Sequence, residues 1–175
     1  MRLIHRAPGD DDADLARRLQ RHLRHLPVVM LEDRRLPCGL VVDFLAIGPG
    51  GVTVITDAGP VDAPLRVERL HGIFGASAEL LRDRGAADRT ALLWPILDRV
   101  TVVRNIVAGN AGVHGALCLD DRAVLQALRP LHAHGILVAG ARSVARLAAR
   151  QGRLVDTEVA DLVDRLHAAC PPALV

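Results

Sequence analysis

The sequence predicts one α/β domain, a mixed β-sheet flanked by helices. Three observations lead there. Residues 40–47 and 52–58 are apolar runs rich in β-branched residues, separated only by Gly48-Pro49-Gly50-Gly51. That pattern is a hairpin buried on both faces. From about residue 87 onward, helical and strand periodicities alternate almost to the end of the chain. Half of the 175 residues are hydrophobic and 24% are charged, which suits a single core and argues against disorder.

Taken in order, residues 1–11 read as a flexible polar arm, 12–170 as the domain and 171–175 as a tail. Leu15, Leu19, Leu23 and Leu26 form one helical stripe with Arg17, Arg21 and Arg24 opposite. Asp10, Asp11 and Asp12 are candidates to cap its start, where carboxylates suit the helix dipole. Pro27 stops the helix, residues 28–32 read as a strand, and residues 33–37 turn into the hairpin, with Ile47 paired to Val52 across a four-residue loop. Gly59-Pro60 breaks the second hairpin strand, and residues 65–69 and 78–82 read as short strands around a turn at 72–75.

A helical pattern runs from 87 to 107 but contains Pro95, so the helix is either kinked there or begins near Trp94. Its inner stripe is Ile96, Val100, Val103 and Val107. A strand at 113–119, a short helix at 122–128, a buried strand at 136–139 and a helix at 142–150 follow. Asp156 or Thr157 caps a final helix to about residue 169, and Pro171-Pro172 ends it. No repeat, low-complexity tract or linker interrupts this order.

Composition narrows the partners. No apolar run reaches about 18 residues, so no membrane partner is expected. The N-terminus lacks a hydrophobic signal core, and Cys38, Cys118 and Cys170 are odd in number without C-x-x-C spacing. Reduced thiols in a cytoplasmic protein are the expectation. A formal charge of +2 does not by itself imply nucleic acid. Every basic side chain apart from histidine is Arg, Tyr is absent, and Phe44, Phe74 and Trp94 are the aromatics, too few for a base-stacking platform.

Carboxylates inside apolar strands are costly unless paired, hydrogen-bonded or bound to metal. Asp43 interrupts the first hairpin run and Thr56-Asp57 the second, so chemistry is sought there.

The run V-D-F-L-A-I-G-P-G-G-V-T-V-I at 42–55 resembles the nuclease-related domain, NERD, whose core reads I-D-H-L-V-I-G-P-G-G-V-F-V-I-E-T-K. The preceding E-D-R-R-L-P and the later V-A-G-A-R-S-V-A-R-L fall where that family has similar stretches. The likeness covers residues 12–170, with 42–55 as its specific part. It implies the PD-(D/E)XK, restriction-endonuclease-like fold. It also implies a centre in which an Asp and a Glu-x-Lys on neighbouring antiparallel strands hold a divalent cation, usually Mg²⁺, and activate a water. Residue by residue, Asp43 matches the family Asp, but Thr56 stands at the Glu and Ala58 at the Lys, and Phe44 replaces the following His.

The resemblance therefore implies a catalytically inactive member with no cofactor, retaining DNA contact through arginines or serving as a module for a protein partner or for self-association. The alternative is a weak Mg²⁺-dependent DNA nuclease with catalytic Asp43 and a migrated carboxylate at Asp57, Asp43 holding the metal. Strand parity turns Asp57 away from the face of Thr56 unless a bulge intervenes. Glu68, Asp12 and Asp14 are further carboxylate candidates, and Arg66 a substitute charge. Outside the hairpin, Arg142, Arg146 and Arg150 recur every four residues and are the DNA-binding candidates. His132 and His134, even with His114, lack further ligands at zinc spacing, and the pair at 132 and 134 reads as loop histidines.

Overall fold

The computed structural model describes residues 10–59, 65–71, 77–83, 85–109, 111–119 and 130–173. The helix expected at 122–128 lies outside the described residues, as do the side chains of Asp10, Asp11, Asp12 and Asp14. Helix α1 (Asp10–Leu23) leads into β1 (Val29–Arg35), β2 (Val41–Gly48) and β3 (Gly51–Asp57). A separate pair, β4 (Arg66–His71) and β5 (Ser77–Arg82), precedes α2 (Trp94–Val107). Then come β6 (Val113–Leu119), β7 (Leu131–Ala133), β8 (Ile136–Gly140), α3 (Ala141–Ala148) and α4 (Asp156–Ala169).

A six-stranded mixed sheet, ordered β1-β2-β3-β6-β8-β7, forms the centre. β1, β2 and β3 make an antiparallel meander, whereas β6 runs parallel to β3 and β8 parallel to β6. The parallel pair β3 and β6 is joined through α2, as a crossover requires. Helices cover both faces. Leu15, Leu19 and Leu23 of α1 and Val144, Ala145 and Ala148 of α3 pack on Phe44, Ala46, Ile55 and Cys118. On the other face, Ile96, Val100 and Val103 of α2 and Leu162 and Leu166 of α4 pack on Leu45, Ile47, Val54 and Leu117. The helices α2 and α4 are also stitched together, since Arg165 Nη1 donates to the Val107 carbonyl at 2.7 Å, supplying a partner to a helix-end acceptor.

Several boundaries differ from expectation for identifiable reasons. α1 begins two residues inside the expected arm and stops before Pro27, leaving Leu26 37% exposed and outside the stripe. Of the two readings around Pro95, the helix beginning at Trp94 is the one adopted, with proline in the first turn, where its missing N–H costs nothing. Ile47 does pair with Val52, but Gly48 also pairs with Gly51, so the loop shrinks to Pro49-Gly50. Gly51 takes φ 110°, and a Cβ there would strike the Gly112 carbonyl. α4 starts at Asp156 with Val155 ahead of it, and Glu158 caps the turn by accepting from the Val155 N–H at 2.9 Å. Neither Asp156 nor Thr157 is the cap. The described part of the tail pairs with β1: Arg35 N–H donates to Pro171 O at 2.9 Å and Ala173 N–H to Asp33 O at 2.7 Å, extending the sheet beyond β1.

Candidate functional site

The expected centre lies where β2 and β3 part. Their pairing ends at Phe44 and Ile55. Val52 and Ala58 donate their N–H groups to the β6 side, so by the two-residue period the Asp57 N–H points towards β2. In place of a main-chain acceptor it meets the Asp43 carboxylate, with N to Oδ2 3.1 Å. Asp57 Oδ1 in turn accepts from the Gly59 N–H at 3.0 Å, a turn that ends β3. Each carboxylate thus carries a main-chain hydrogen bond at the strand end.

Thr56 and Ala58 occupy the positions matched to the family Glu and Lys. Thr56 faces α2, because Arg99 Nη1 donates to its Oγ1 at 3.0 Å. Ala58 packs against the same core layer. Asp57 sits beside Cys118 in the parallel register, and Cys118 belongs to the opposite layer. Asp57 therefore falls on the other face of the sheet from Thr56, as strand parity demands.

Among the described residues, no group of three or more His, Cys, Asp or Glu side chains could hold a metal ion. Mg²⁺ is held through one or two carboxylates together with waters, and of the three positions matched to the family centre Asp43 alone carries a carboxylate. The Thr56 hydroxyl is taken up by a guanidinium. Glu68 belongs to the separate β4–β5 pair, where Arg82 Nε lies 2.8 Å from its Oε2, and Arg66 is exposed on that same unit.

The arginine ridge is present. Arg142 and Arg146 project from α3 and Arg150 from the turn after it, all exposed, while Ala141, Val144, Ala145 and Ala148 face inward. Among the described residues none of the three arginines has a carboxylate partner. α3 packs beside α1, whose Arg17 and Arg21 are exposed, with Arg24 just beyond. The opposite layer carries Asp156, Glu158, Asp161 and Asp164, all exposed on α4. The same layer also carries exposed Arg104 and Arg165, and the ridge lies on the face away from Thr56 and Ala58. Comparison with protein-family models, curated proteins and solved structures returned no match.

Among the described residues the histidines gather no metal set. His134, with φ 51°, sits in the β7–β8 turn, where its N–H donates to Glu79 Oε2 at 2.8 Å and its Nε2 lies 2.6 Å from the Glu79 carbonyl. Its ring packs on Trp94 with centroids 5.1 Å apart. The His134 N–H holds the Glu79 carboxyl below its ordinary value, against a smaller opposing effect of burial, with Arg69 assisting. Sequence reading missed this junction between the two sheets. The His134-Gly135 pair was its one local signal, a turn dipeptide. Burial pushes the Cys170 thiol up. Of the apolar group at 92–94, Leu93 is fully buried, leaving Leu92 and Trp94 exposed.

Proposed function

We propose that this chain is a non-catalytic, NERD-like domain of the restriction-endonuclease-like type that holds the backbone of DNA across the arginine face of α1 and α3. The observation that carries the DNA reading is the run of Arg142, Arg146 and Arg150, exposed and free of carboxylate partners among the described residues, on the layer opposite the acidic α4. Arg142 stands in the first turn of α3, where a cation opposes the helix dipole, so helix stability alone does not account for it. The non-catalytic reading is supported by the hydrogen bonds that occupy Asp43 and Thr56 and by the aliphatic Ala58 at the lysine position.

A salt titration of binding to a short DNA duplex tests both parts. The affinity of the native protein should fall steeply with salt. In a variant with Arg142, Arg146 and Arg150 changed to Gln, the slope should shrink by about 0.9 for each phosphate that is no longer neutralised. Absence of binding at low salt removes the DNA reading and leaves an interaction module. Cleavage of the duplex with Mg²⁺, abolished in Asp43→Ala, replaces the proposal with the nuclease reading.

A further inference from the structure

β1 is one edge of the main sheet, and the described residues cover only part of it. The C-terminal segment pairs with Asp33 and Arg35, and the bridge Arg34–Pro172 is antiparallel. Asp33 has φ 47°, a kink at which this covered half begins. Upstream, no described strand pairs with the edge. The direction of its main-chain groups follows from the register. The β3 residues that bond towards β2 are Thr53 and Ile55, whose β2 partners are Ala46 and Phe44. Leu45 and Ile47 must then turn their main-chain groups to β1, where they meet Leu31 and Val29. The main-chain groups of Met30 and Glu32 consequently point outward, ready to pair with an added strand.

Both flanks of this open half are grooved. On the α4 side, a groove of about 490 Å³ has a floor that includes Val29, Val159 and Val163 and a rim that includes Asp156 and Asp164. On the α1 side, a second groove of about 290 Å³ is lined by Leu23, Leu26 and Met30 among others. An incoming strand sends alternate side chains to the two faces. The α1 side suits a compact aliphatic residue. The α4 side suits a long side chain with an apolar stem and a cationic head, which lies along the valines and reaches the aspartates.

We propose that the open half of β1 is a docking edge for an extended segment of a partner protein in which aliphatic residues alternate with arginine or lysine. A second copy of this chain fits less well. Pairing β1 with β1 about a twofold axis would set one acidic α4 beside the other, a like-charge contact. The acidic rim disfavours a nucleic acid on the α4 flank, whereas the α1 flank meets the end of the arginine face at Arg24.

The test is fluorescence anisotropy of the full chain with a synthetic peptide alternating valine and arginine. The same peptide with glutamate for arginine, and a version N-methylated on alternate backbone nitrogens, serve as controls. The proposal expects saturable binding of the first peptide only, with new hydrogen-exchange protection at the Met30 and Glu32 amides. The double substitution Asp156→Asn and Asp164→Asn, both exposed, should weaken it at least about fivefold. Equal binding of the glutamate or N-methylated peptide overturns the proposal, as does protection elsewhere. A concentration-dependent dimer protected at the same amides overturns it in favour of self-pairing. Binding that appears only when Leu174 and Val175 are removed overturns it in favour of the chain's own end.

Discussion

The Asp43 carboxylate accepts a hydrogen bond from the backbone N–H of Asp57, at 3.1 Å, at the point where β2 stops pairing with β3. A side chain thereby takes over from the main-chain ladder. Asp43→Asn keeps an acceptor there and should leave stability within about 0.5 kcal/mol. Asp43→Ala leaves a part-buried N–H unpaired and should cost about 1–3 kcal/mol. Urea denaturation distinguishes the two. If Asn proves as damaging as Ala, charge rather than the hydrogen bond is what Asp43 supplies.

Arg99 reaches 43 positions back along the chain to Thr56. Thr56→Ser retains the hydroxyl, whereas Thr56→Val removes the acceptor and leaves the guanidinium, whose buried Nε has no partner among the described residues, less satisfied. The expected order of stability is wild type, then Ser, then Val, with Val lower by about 1–2 kcal/mol. Thermal and chemical denaturation of the three proteins check it. Equal stability of Val and wild type would mean that the Arg99 bond contributes nothing.

What sequence reading could reach follows from local pattern. The hairpin shows as two continuous apolar runs around a Gly-Pro turn, the inner stripe of α2 repeats at the helical period, the final helix is bounded by its prolines, and all three are found. Placing Asp57 on the face away from Thr56 needed only strand parity. Long-range relationships carried no such mark. Nothing in Arg99 announces Thr56, three-residue β7 is too short to show a period, and Pro171-Pro172 reads as a stop although that segment pairs with β1. Which face of the sheet receives α3, and hence the arginine ridge, is likewise a property of the packing alone.

Gly51 carries the turn of the central hairpin. Its φ of 110° is unfavourable for any L side chain, and a Cβ would meet the main chain of Gly112, which cannot swing aside as a flexible side chain can. Gly51→Ala should therefore destabilise the domain by more than about 2 kcal/mol, combining backbone strain with disturbed packing just ahead of β6. A loss under about 1 kcal/mol in urea titrations would show that the hairpin relaxes at little cost.

Acid should loosen the β4–β5 unit from the main sheet before the whole domain unfolds. Glu79 of β5 accepts from the His134 N–H, and that bond, assisted by Arg69, sets its carboxyl below the ordinary value despite burial. A carboxylate whose folded value is depressed stabilises the folded form above the unfolded value, and the contribution disappears as pH falls through the folded value. The window accordingly lies below about pH 4. His134 also packs on Trp94, the single tryptophan of the chain, so the junction has its own reporter. Trp94 fluorescence should change across that window while the far-ultraviolet circular dichroism is still native. Glu79→Gln keeps an acceptor for His134 but has no proton to gain, and its fluorescence should stay flat over the same range. A wild-type signal that moves only together with the circular dichroism would show that Glu79 does not control the junction separately from the rest of the fold.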